Sequence, residues 1–157
     1  MPPVPAPLAI PRVLAAVRAV LLGDAALIAR LATAPATAGG GPGIYNETLV
    51  PPDARTDYLT IGPFTERSDS TMGTGRKWGS ELTMQVKLVT MSKNISATLG
   101  TVDRVVALLH GVPLTVADYA SGICLLDVVV DAYSELVAGQ QMLHYPALFR
   151  VLVHQPT

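Results

Sequence analysis

The chain has 157 residues, half of them apolar and 15% charged, with a net charge of −1 and a mean hydropathy of +0.40. That length suits one domain, which buries about 70% of the surface its unfolded chain exposes. The near-zero charge excludes a general electrostatic pull on nucleic acid or an acidic membrane. The single cysteine excludes an intrachain disulfide framework and fits a reducing compartment, and the apolar surplus points to surface buried in an oligomer.

The opening MPPVPAPLAIP carries too many prolines for a helix and reads as a flexible N-terminal arm, residues 1–11, ahead of a single domain over residues 12–155. Pro11 suits a first helical turn, after which Val13, Leu14, Val17, Leu21 and Leu22 share one face, with Arg12 and Arg18 outside it. Arg18 and the Gly23-Asp24 break leave the apolar run short of the roughly 20 residues a membrane crossing needs. Its arginine-bearing, acid-poor pattern faintly resembles a transit peptide, but a helix packed on the domain is the better reading. Asp24 is the expected N-cap of a second short helix ending at Leu31, and residues 33–43, TAPATAGGGPG, form a flexible connection.

Two short extended pieces follow, near residues 44–49 and 57–61, separated by the turn signals Pro51, Pro52 and Asp53. The strongest strand is ELTMQVKL: Leu82, Met84, Val86 and Leu88 point one way, and Glu81, Thr83, Gln85 and Lys87 the other. In NISATLGTVDRVVALLHG the period changes to about 3.6, which places Ile95, Leu99, Val102, Val106 and Leu109 on a common stripe. Gly111 suits the left-handed cap that ends this helix, and His110 suits its negative end. ICLLDVVVDAYSEL and HYPALFRVLVHQ then read as a closing pair of strands separated by VAGQQM. The expected fold is α+β: a single mixed or antiparallel sheet of four to five strands packed against helices, with a long hairpin excursion between residues 61 and 82.

Little in this order suggests chemistry. Gly75 is followed by Arg76-Lys77-Trp78-Gly79 and then a strand, which fits neither a P-loop nor a dinucleotide fingerprint. His110, His144 and His154 lack zinc-ligand spacing, and Cys124, in an apolar run, reads as a small core residue. Asp127 and Asp131, four apart on an expected strand, would share a face. A divalent-ion site there is weighed against a solvated face or pairing with arginine, and the latter is preferred. The acceptor-like NET and NIS tripeptides read as chance matches. No catalytic, cofactor-binding or metal residues are assigned.

What remains is TMGTGRKWGS, residues 71–80. It is open to three readings: a plain surface loop, a nucleic-acid contact through cations beside an aromatic, or an arm that binds protein. In the last reading residues 67–80 form two strands of a hairpin whose tip stands on the order of 20 Å from the sheet. Arg67, Arg76 and Lys77 would supply charge to its partner and Trp78 an apolar anchor.

The sequence LLGDAALIARL, DYLTIG, the excursion, ELTMQVKLVTMS, ATLGTVDRVVALLHG, VPLTV and finally FRVLVHQ resembles the tail terminator (tail completion) proteins of long-tailed bacteriophages and gene transfer agents, over about residues 12–155. The resemblance implies a structural subunit that closes as a homohexameric ring on the last ring of the tail tube, stops tube polymerisation and offers the head's neck a joining surface. It implies no enzyme activity and no cofactor. Its implied partners are other copies of itself, the tail tube protein and a neck or head–tail connector protein, with no membrane and no specific nucleic-acid binding, although the genome would pass through the ring. The implied location is the neck end of the virion tail, after synthesis in the host cytoplasm. By position, Arg67, Arg76, Lys77 and Trp78 would lie on a hairpin directed at the tube or a neighbouring subunit. The alternatives are a neck or head-closure component or another phage protein-interaction module and, from a different class, a metal-dependent enzyme using Asp127 and Asp131.

Overall fold

The computed structural model of the chain describes residues 8–70 and 77–155, and the side chains of these except 68–70, 77 and 78. Helix α1 spans Ala9–Leu22, so it takes in the last residues of the expected arm. Pro11 fits there because the first-turn amides have no intrahelical acceptor for it to miss. Val13, Val17 and Leu21 are fully buried, with Leu14 and Leu22 packed at the margin, as the apolar spacing requires. Helix α2 is short, Ala25–Ile28, and Asp24 caps it by accepting the Leu27 N–H at 2.7 Å.

One sheet of seven strands follows, more than the four or five expected. The strands are β1 (Ile44–Asn46), β2 (Tyr58–Ser70), β3 (Lys77–Thr90), β4 (Pro113–Leu114), β5 (Ser121–Val129), β6 (Tyr133–Val137) and β7 (Gln140–His154). They lie in the order β1-β2-β3-β7-β5-β4, with β6 also paired to β7. Only β1–β2 is parallel; the other pairs are antiparallel. The surplus has two sources. Very short strands such as β4 leave no periodic signature, and the run read as one strand, ICLLDVVVDAYSEL, is cut into β5 and β6.

Pro146 lies opposite that cut. Strand β6 pairs with β7 as far as His144, and β5 takes over at Ala147. Between them Pro146 has no N–H to offer, and its carbonyl accepts from Val130 at 3.1 Å. The β6–β7 turn is only Ala138-Gly139, at φ 49 and 80. Positive φ at both central residues is the two-residue hairpin geometry that matches strand twist, so Gln140, Gln141 and Met142 belong to β7 and not to the connection.

The core forms where α1 and α3 (Ile95–Leu109) cover one face of the sheet. Leu82, Met84, Val86 and Leu88 of β3 and Ala147, Phe149, Val151 and Val153 of β7 alternate into it. Helix α3 is rotated from the expected stripe. It buries Thr98, Thr101, Val102, Val105 and Leu109, while Ile95 is 62% and Leu99 45% exposed. Two threonines can face the core because each hydroxyl is satisfied by its own helix: Thr98 donates to the Asn94 carbonyl at 2.9 Å and Thr101 to that of Ala97 at 3.2 Å. A smaller cluster of Ala34, Tyr45, Tyr58 and Val89 lies apart from the main core, with the two tyrosines edge to face at 5.5 Å.

Candidate functional site

The hairpin singled out in the sequence is an extension of the sheet. Strands β2 and β3 pair from Tyr58↔Val89 to Ser70↔Lys77, and β3 also pairs with β7 up to Gly79↔His154. The stretch from residue 67 to the end of β2, with Gly79 and Ser80, therefore lies in a hydrogen-bonded ladder, so the base of the expected 67–80 hairpin belongs to the sheet. Arg67 is exposed on β2 opposite Glu81. Lys77 opens β3 opposite Ser70, and Trp78 is the extra residue where the register slips between Asp69 and Ser70. Arg76 and the side chains of Lys77 and Trp78 lie outside the described residues.

The base of this hairpin is tightly specified. A Cβ placed on Gly79 would fall 2.2 Å from the Val153 carbonyl oxygen, and the Ser80 hydroxyl donates to the Glu66 carboxylate at 2.7 Å. Such a base can hold a contact surface at a fixed angle to the sheet.

The residues weighed for chemistry are separated by the fold. Asp127 is the extra residue of a β5 bulge and faces Arg150 at 3.7 Å, whereas Asp131 lies beyond the end of the strand. The bulge and the strand end remove the shared face that the spacing implied. His110 Nδ1 accepts the Leu126 backbone N–H at 2.9 Å, a structural role at the end of α3. His144 is buried, stacked on Tyr133 at 4.7 Å, with Glu135 3.3 Å from Nε2. Burial, and after it the nearby Lys87, pushes its pKa below the ordinary value; Glu135 opposes this without cancelling it. Cys124 is fully buried, and burial raises its thiol pKa to about 12. Among the described residues no three His, Cys, Asp or Glu side chains gather as a metal site, and no helix is long and apolar enough to cross a membrane.

Two surface features stand out, neither of them visible in the sequence. At the β1 edge an open groove of about 450 Å³ is walled by Leu22, Ile44, Tyr45 and Leu49. Arg18 stands in its wall and donates to the Ile44 carbonyl at 2.8 Å. Across the sheet, Val128, Val129 and Val130 at the end of β5 and Tyr133, Leu136 and Val137 on β6 are exposed, Leu136 by 74%. Every residue of β6 is exposed. Six large apolar side chains exposed within ten residues mark a contact surface more often than isolated exposed residues do.

In sequence the chain matches no protein-family model and no curated protein. In structure it is similar to a chain from a solved particle described as the virion of a native gene transfer agent (GTA) particle. The TM-score is 0.65 at 21% identity, over 93% of this chain and 97% of that one. The two therefore share an α+β fold almost from end to end.

Proposed function

We propose that this chain is a structural virion protein: a tail terminator that closes as a ring on the end of the tail tube, stops tube polymerisation and provides the surface that joins the head's neck. The observation that carries this reading is the nearly end-to-end likeness of fold to a chain of a gene transfer agent virion. It agrees with the order of motifs in the sequence and with two distinct surface features on different margins of the sheet, the exposed apolar residues of β5 and β6 and the open groove at the β1 edge. A ring of identical subunits joins unlike faces head to tail, so each subunit needs two such surfaces. On this reading the chain performs no reaction and holds no cofactor. Its partners are its own copies, the tail tube protein and the neck connector.

Deleting the gene tests the proposal. Tails of unregulated length that fail to join heads are expected; tails of normal length that join heads overturn it. The same preparation separates the neck-component alternative, for which labelled protein would sit on heads that lack tails.

A further inference from the structure

We infer that His144 is a proton-operated latch for strand β6: as a neutral ring it holds the strand on the sheet through Tyr133, and on taking up a proton it lets the strand come away. The latch goes beyond the ring reading and stands or falls separately from it. His144 sits at the root of an overhang. Strand β3 ends its pairing with β7 at Thr90↔Leu143, so from residue 142 back to the turn β7 has only β6 as a strand partner among the described residues. Strand β6 in turn pairs with β7 alone among them, and all five of its residues are exposed. A two-stranded ribbon of this kind is marginal in water without side-chain support.

That support comes from the root. His144 lies opposite Val89 on one side and Tyr133 on the other, with its ring parallel to that of Tyr133 at a centroid distance of 4.7 Å. The groups that face it are Tyr133 and Glu135 of β6 and Lys87 of β3, with Tyr58 of β2 near Glu135 and Glu47 3.8 Å from Lys87. A proton on His144 places a cation where the side chain is only 8% exposed and a second cation, Lys87, is close. The counter-charge, Glu135, is 3.3 Å away but 60% exposed, so water screens much of its pull. With β6 lifted the imidazolium is hydrated and this cost disappears, so acid favours the lifted strand. Met142 packs on the cluster of Tyr45 and Tyr58 and keeps the end of β7 in place. Strand β6 moves instead, and with it the exposed side chains of Tyr133, Leu136 and Val137. The contact surface they form thus changes with pH.

Amide hydrogen exchange of the full-length chain between about pH 7.5 and 5, corrected for the intrinsic pH dependence of exchange, tests the latch. Protection of the β6 amides should fall below about pH 6.5, by up to about tenfold per pH unit, the slope of a single proton. Residues 82–88 of β3 should stay protected over the same range. His144→Phe should make β6 protection independent of pH, and His144→Gln, which also carries no titrating group, should do the same if the phenylalanine variant fails to fold. Constant β6 protection in the native chain would overturn the latch. Equal loss in β6 and β3 would also overturn it, because the whole fold would then be opening. A fall that persists in the His144 variants would assign the effect to another group and overturn it as well. Each of these outcomes leaves the tail-assembly assay, and with it the ring reading, to be decided independently.

Discussion

Gly79 and Val153 approach so closely that a Cβ on Gly79 would fall 2.2 Å from the Val153 carbonyl oxygen. The contact locks the base of the β2–β3 hairpin to β7, and only a residue without a side chain permits it. Gly79→Ala should therefore destabilise the fold by about 1–3 kcal/mol, as overpacking does. Gly41→Ala is the control: nothing lies within 4 Å of its Cβ position. Urea midpoints of the two variants check this, and equal midpoints would show that the strands can part without cost.

The acid limb of stability should depend on Asp24 and Arg104. The guanidinium hydrogen bond from Arg104, and then the Leu27 N–H, hold the Asp24 carboxyl below its ordinary value. The folded state thus binds this proton less readily than the unfolded chain. Its contribution is present above the unfolded pKa of about 3.9 and is lost as pH falls through the lower folded value. Thermal scans from about pH 5 to 2 should fall less steeply for Asp24→Asn than for the native chain.

His144 should act in the same direction at a higher pH. Its folded pKa is depressed by burial and by Lys87, so the unfolded chain takes the proton first. The contribution is complete above about pH 6.5 and declines as pH falls towards the folded value. His144→Phe, which keeps a ring against Tyr133, should flatten the dependence of Tm between about pH 7.5 and 5. An NMR titration midpoint for His144 above the ordinary histidine value would contradict the sign.

Cys124 should be inert in the native protein. With the thiol at 0% exposure and its pKa pushed up to about 12, a thiol reagent at mildly alkaline pH should find no target until denaturant is added. Prompt labelling would mean that β5 opens from the sheet readily.

For the hairpin tip we propose that Arg76→Ala combined with Trp78→Ala leaves the subunit folded and impairs assembly onto tails. Circular dichroism and a tail-assembly assay check the two halves separately. An unfolded double variant would make Trp78 part of the packing and not of a contact surface.

Strict periodicity determined much of this protein. The apolar spacing of α1, the cap at Asp24, the alternation of Leu82 to Leu88 and the left-handed Gly111 at φ 71 all follow from neighbours a few residues apart in the chain. Such preferences act locally, so one chain suffices to reveal them. The tertiary structure alone decided what depended on distant partners. Pro146 lies where one apolar run divides into β5 and β6; packing against the sheet turns Thr98, Thr101 and Val105 of α3 inward in place of Ile95 and Leu99; a bulge and a strand end part Asp127 from Asp131. The groove beside Arg18 and the uncovered β6 also arise only when segments remote in sequence become neighbours. Burial and pairing are properties of that assembled surface, and no window of sequence contains them.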